Sequence, residues 1–97
     1  MEKTTVVWED EAKEEFRDIW LDIYENAEQY ADKWAKEVEE KVILLERFPE
    51  MGRIVPELNV KYVREIFVGN YRVIYTFLKP ILTILAIRHT SRPLKNY

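Results

Sequence analysis

Apolar residues recur with a helical period up to Phe48 and with the period of a strand after Tyr62, and the change falls at Pro49. Before the helical region, Lys3 to Trp8 (KTTVVW) is β-branched and aromatic, which predicts a first strand. Glu9-Asp10-Glu11 then sets three acids where a helix N-terminus presents unpaired N–H groups, so a helix starts here. Its stripe is Ala12, Phe16, Ile19, Trp20 and Ile23, with Lys13, Arg17, Asp18 and Asp22 turned outward. Asn26 and Gln29 have the spacing of a capping box, which predicts a second helix. Its stripe of Ala27, Ala31, Trp34, Ala35, Val38, Val42, Leu45 and Phe48 runs to Pro49, roughly 33 Å at 1.5 Å per residue. So short a connection makes the two helices an antiparallel hairpin with one shared apolar side, and Tyr30, Ile43 and Leu44 fall near its edges.

Pro49 to Val60 (PEMGRIVPELNV), with two prolines and a glycine, reads as a loop. Val63 to Val68 and Tyr71 to Phe77 read as strands joined by Gly69-Asn70, a pair suited to the positive φ angles of a tight hairpin. Lys79-Pro80 makes the next turn, Ile81 to Arg88 is a last β-branched strand, and Thr90 to Tyr97 is a polar tail in which Pro93 blocks further pairing. A two-residue turn sets Val68 opposite Tyr71, and paired residues share a face. Arg64, Ile66 and Val68 then join Tyr71, Val73, Tyr75 and Phe77 on the side richer in apolar bulk, which the helices should cover. Val63, Glu65 and Phe67 join Arg72, Ile74 and Thr76 on the open side; a bulged three-residue turn would instead put both arginines on one face.

Composition narrows the class. Ninety-seven residues suit one domain spanning 1–97, and 47% hydrophobic with 34% charged residues belongs to an ordered globular chain. No apolar run reaches the ~18 residues of a membrane span and no signal pattern opens the chain, so a cytoplasmic protein is expected. Zero cysteines and one histidine leave no disulfide, cysteine nucleophile or structural zinc site to expect, and no metal or other cofactor is anticipated. The net charge of -3 hides a division: Glu9 to Glu50 holds 15 acidic and 6 basic residues, and Met51 to Tyr97 holds 8 basic and 2 acidic. That asymmetry fits a basic working face on an acidic support, or simply the preference of helices for glutamate.

The order of an N-terminal strand, a helical hairpin, FPEMGRIVPEL, VRE, GNYRVIY, an apolar last strand and RHTSR resembles the RelE/ParE superfamily of bacterial type II toxins over nearly the whole chain. The resemblance implies an α+β fold, here β-α-α-β-β-β, with a mainly antiparallel sheet of about four strands braced on one face by the hairpin. It also implies a cognate antitoxin encoded alongside, with which the toxin forms a hetero-oligomer. Tyr, Phe and Ile on both sheet faces leave apolar surface that an antitoxin helix or strand would cover.

Within the superfamily, RelE-like members are ribosome-dependent mRNA endonucleases, which need a base, an acid and cations for the charged transition state, whereas ParE-like members poison DNA gyrase. By that resemblance Arg72 of GNYRVIY matches an arginine set against the scissile phosphate, Glu57 a general base and His89, about one position out of place, a general acid. The positions where RelE-like enzymes carry lysines fall on Val63 and Glu65, neither of which binds a phosphate, and Glu65 reads as the ion-pair partner of Arg72. His89 in RHTSR equally resembles the close of the last strand in ParE-like chains, which is favoured. The ParE-like reading makes Arg72, Arg88, His89 and Arg92 the target-contacting set, with DNA gyrase the expected target and the ribosome the alternative. An inactive antitoxin-binding module is a third reading. Tyr97 could stand for a C-terminal tyrosine of the nucleases.

Overall fold

A computed structural model describes residues 3–92 of the chain, so Pro93 and Tyr97 lie outside the described residues. The order is β1 (Thr5–Trp8), α1 (Asp10–Arg47), β2 (Arg53–Ile54), β3 (Val63–Val68), β4 (Tyr71–Leu78) and β5 (Ile81–His89). The five strands form one sheet in the order β1-β5-β4-β3-β2, antiparallel throughout except that β1 runs parallel to β5.

Where two helices were expected there is one helical element, α1, interrupted at a single residue, Ala27 (φ -158, ψ 75). It folds back on itself there. A straight helix of 38 residues would be about 57 Å long, yet the longest dimension of the molecule is 41 Å. Trp20 Nε1 donates to Asp32 Oδ1 (3.1 Å) and the rings of Phe16 and Trp34 lie 5.3 Å apart, contacts possible only between two arms lying side by side. The capping box at Asn26 does not form as expected: the Asn26 amide donates back to the Asp22 carbonyl (2.7 Å), supporting the end of the first arm. Glu9 holds the N-cap, with Asp10 and Glu11 in the first turn.

The apolar stripe of α1 is buried at Ala12, Ala31, Trp34, Val38, Val42 and Leu45. Phe48 departs from the expected stripe: it is the C-cap, with non-helical backbone, and is 54% exposed. Against this stripe the sheet presents Ile66, Val68, Val73, Tyr75, Leu82, Ile84 and Ile87. The hairpin register is the two-residue one, Val68↔Tyr71, with Gly69 at φ 60, as in a II′ turn. The other face is not open over β3 and β4, as it was expected to be. Val55, Val63, Ile74 and Ala86 form a second core there, with Leu58, Val60 and Leu85 packed on it. The loop expected over Pro49 to Val60 supplies the cover, and its Arg53–Ile54 pairs with Glu65 and Arg64 to make the short edge strand β2. In β5 the pairing steps from Ala86 to Ile84 between Ile74 and Tyr75, and the extra residue, Leu85, turns to this second core.

The loop is pinned from beneath. Tyr75, fully buried, donates its hydroxyl to the Pro49 carbonyl (2.8 Å) and accepts the Gly52 N–H (3.1 Å). Arg64 donates to the Gly52 carbonyl (2.8 Å). A Cβ on Gly52 would lie 2.6 Å from the Tyr75 hydroxyl and 2.7 Å from the Glu65 carbonyl, so only glycine lets the loop approach this closely. Gly52→Ala is therefore expected to cost about 1–3 kcal/mol, read as a lower urea midpoint with an unchanged m-value; an unaltered midpoint would contradict the close approach.

Candidate functional site

Two clusters of chemistry-bearing side chains lie near the end of β5, one beneath the loop and one along the seam with α1. The first centres on Arg72. Its Cα partner on β3 is Phe67, and Glu65 lies two residues further along that strand on the same face. Arg72 Nη1 donates to Glu65 Oε1 (3.0 Å) and Glu57 Oε1 (3.2 Å), and Nη2 donates to Glu57 Oε2 and to the Arg92 carbonyl (2.8 Å). On the far side of Glu65, Arg53 Nε donates to Oε2 (2.7 Å). Side-chain exposure is 5% for Arg72, 0% for Glu65 and 29% for Glu57. The bond to Glu57 raises the Arg72 pKa above its ordinary value; burial opposes this and the Glu65 charge reinforces it. Both terminal nitrogens are fully engaged, so a phosphate could reach this guanidinium only by displacing Glu57.

The second cluster closes the gap between α1 and β5. Pairing with β1 stops at Ile84, and beyond it the outward N–H of Ile87 is taken by Glu15 Oε1 (3.1 Å). The other oxygen of Glu15 meets Arg88 Nε (2.8 Å), and Arg88 Nη2 donates to Glu11 Oε1 (3.2 Å). Burial raises the Glu15 pKa, against the lowering effect of Ile87 and Arg88. His89 pairs with Tyr71 and sets its ring edge-on at 5.3 Å. The Ser91 N–H donates to His89 Nδ1 (3.1 Å) and the Ser91 hydroxyl lies 2.7 Å from the same atom, which makes Nδ1 the acceptor and assigns the neutral ring's proton to Nε2. Burial, then Asp22, raises the Tyr71 phenol. With Asp18, Ile19, Tyr71, Ile87 and Arg92, the side chains of Glu15, Arg88 and His89 line one shallow cleft.

The structure thus joins Glu57 to Arg72 but sets His89 on the opposite face, beside Tyr71. Arg88, His89 and Arg92 share the cleft, while Arg72 is buried behind it and reaches only the Arg92 backbone. Val63 and Glu65, where a nuclease would present lysines, are 7% and 1% exposed beneath the loop. The Glu65–Arg72 pair is the one expected from the register. Three participants escaped the sequence reading: Arg53, Glu11 and Glu15. Glu11 and Glu15 stand one helical turn apart, so their carboxylates share a side, which is the signal that could have marked them.

The family model of the ParE toxin of type II toxin-antitoxin systems, parDE, matches residues 6–94. Among solved structures the chain is similar to one in the chromosomal ParDE TA system from P. aeruginosa, with a TM-score of 0.74 and 18% identity over 90% of this chain and 96% of that one. At that identity the likeness concerns the fold. No curated protein matches the chain in sequence.

Removing Arg72 leaves Glu65 in an apolar interior with Arg53 alone, so Arg72→Leu is expected to lose about 3–5 kcal/mol in urea unfolding. Adding Glu65→Leu should regain much of that loss; a double variant no more stable than the single one would refute the account. Glu15 generates a pH effect of determined sign. Because its folded pKa is raised, the stability conferred by its proton is complete below the unfolded value and is lost as pH rises through the folded one. The wild type should therefore gain on Glu15→Gln as pH falls from neutral into the carboxylate range, and parallel stability profiles would contradict it.

Proposed function

The chain belongs to the ParE toxin family of type II toxin-antitoxin systems, and from that premise we propose that it is a cytoplasmic, single-domain poison of DNA gyrase, silenced by a cognate antitoxin in a hetero-oligomeric complex. The observation that carries a binding rather than a cleaving role is the closure of Arg72: its terminal nitrogens are engaged by Glu57, Glu65 and the Arg92 carbonyl. A cleaving enzyme needs a cation free to meet charge that develops on the scissile phosphate. Here that cation is spent on the fold, and the acid and base candidates lie on opposite faces of the sheet. Contact with the target then falls to His89 and Arg92 in the cleft, beside an Arg88 that Glu11 and Glu15 hold.

For the antitoxin, the opposite edge of the sheet offers a seat. β2 pairs with β3 only at Arg64 and Glu65, so the edge of β3 continues uncovered past Glu65 to Phe67. Phe67 (43% exposed) and Met51 (42% exposed) line a shallow pocket there with Lys41 and Arg53. Apolar surface framed by two cations suits an extended segment with alternating apolar and acidic side chains.

Purified protein is expected to inhibit supercoiling by gyrase, and His89→Ala with Arg92→Ala to weaken inhibition roughly tenfold or more, the scale of an interface anchor. Full supercoiling at high molar excess would overturn the gyrase reading. New cuts in mRNA on translating ribosomes, abolished by Arg72→Ala, would establish the endonuclease instead. Absence of growth arrest on expression without antitoxin would favour the inactive binding module.

A further inference from the structure

The edge of the sheet at β1 carries an interaction of its own, independent of the gyrase reading. β1 is the last strand on its side among the described residues. Its sequence, TVVW, contains none of the charges or prolines with which proteins blunt an exposed edge. The N–H groups of Thr5 and Glu9 donate inward, to the carbonyls of Pro80 (2.9 Å) and Ile84 (3.0 Å). By the two-residue alternation of an extended strand, the N–H and C=O groups of Thr4, Val6 and Trp8 point away from β5, into the space beyond the sheet.

This edge is complementary to itself. Pairing two copies antiparallel about a two-fold axis through Val6 sets Val6 opposite Val6, Thr4 opposite Trp8 and Thr5 opposite Val7. All the residues with outward backbone groups then face one another as hydrogen-bonded pairs. In the same register Lys3 of each copy stands opposite Glu9 of the other, and both side chains are exposed. Sliding the register by two residues sets Lys3 against Val7 in one direction and Glu9 against Thr5 in the other, so only the centred register joins the charges. Val7, 44% exposed in the single chain, gains a cross-strand neighbour. We propose that β1 is a self-pairing edge through which two copies of this chain join their sheets into one continuous sheet, with register set by the Lys3–Glu9 pair.

Sedimentation equilibrium of the purified full chain at micromolar concentrations tests this, with far-ultraviolet circular dichroism confirming that each variant is folded. The wild type should dimerise. Lys3→Glu alone and Glu9→Lys alone each set like charges opposite one another twice in the symmetric dimer, and each should raise its dissociation constant roughly tenfold. The double variant Lys3→Glu with Glu9→Lys restores opposite charges and should recover dimerisation. A monomeric wild type would overturn the proposal. A dimer indifferent to both single changes would place the contact elsewhere and overturn it too. Weakened antitoxin capture by the single variants of a monomeric chain would assign the edge to an antitoxin strand instead, with the same consequence.

Discussion

The fold depends on one carboxylate that has no access to water. Glu65 sits on a central stretch of β3 with its side chain fully buried, and a lone ionised carboxylate there would be costly by several kcal/mol. Two guanidinium groups make it tolerable, Arg53 at 2.7 Å and Arg72 at 3.0 Å. Each carries an obligation outward. Arg53 must belong to a strand beside β3, which is what β2 is for despite its two residues. Arg72 has donors left over, which Glu57 and the Arg92 carbonyl take up, so the loop before β3 and the turn after β5 are drawn to the same point. The Tyr75 hydroxyl and Gly52 hold that loop from the other face, through a gap no larger residue could occupy.

The sheet therefore has two unlike faces. Under α1 it is an ordinary apolar interface, with Val38 and Leu45 of the second arm meeting Val73, Tyr75 and Ile84. Beneath the loop it is a smaller core of Val55, Val63, Ile74 and Ala86 beside a buried ionic cluster. The first face supplies most of the hydrophobic stabilisation, since burial scales with apolar area. On the second, the terminal nitrogens of Arg72 tie the loop and the turn after β5 to one point. In a chain of this size, a functional arginine on the second face would compete with the role that positions the loop.

Much of the architecture was legible because its signals are local. Gly69-Asn70 imposed the two-residue turn, and from it the pairing of β3 with β4 and the meeting of Glu65 with Arg72 follow by counting. The fold-back of the helical region was visible where Asn26 interrupts the stripe, although the break falls at Ala27 and leaves one element rather than two. What escaped was non-local. β2 is too short to show a period, and its pairing depends on charge partners 12 residues away. Glu57 reaches Arg72 across 15 residues of chain, a return that no periodicity reports, so Arg72, expected beside Glu65 on an open face, is a buried cation instead. Glu15 is tied to Ile87 across 72 residues, and its position one turn after Glu11 becomes meaningful only once β1 is seen to stop short along β5.

The division of charge along the chain takes on a different meaning in this light. A basic second half suggested a basic face, yet Arg53, Arg64, Arg72 and Arg88 all spend their guanidinium groups on the protein itself. Arg88 and Arg64 draw on acids from the first half, Glu11, Glu15 and Glu50, while Arg53 and Arg72 are met by Glu65 and Glu57 of the second. Part of the asymmetry is thus an internal complementarity, in which Arg88 fastens the helical brace to the strand scaffold. The four paired arginines are correspondingly less available to a polyanion such as ribosomal RNA. On the reading proposed above, recognition rests on short-range fit, at the His89 cleft and along the two edges of the sheet, where backbone groups and apolar side chains rather than net charge would select the partner.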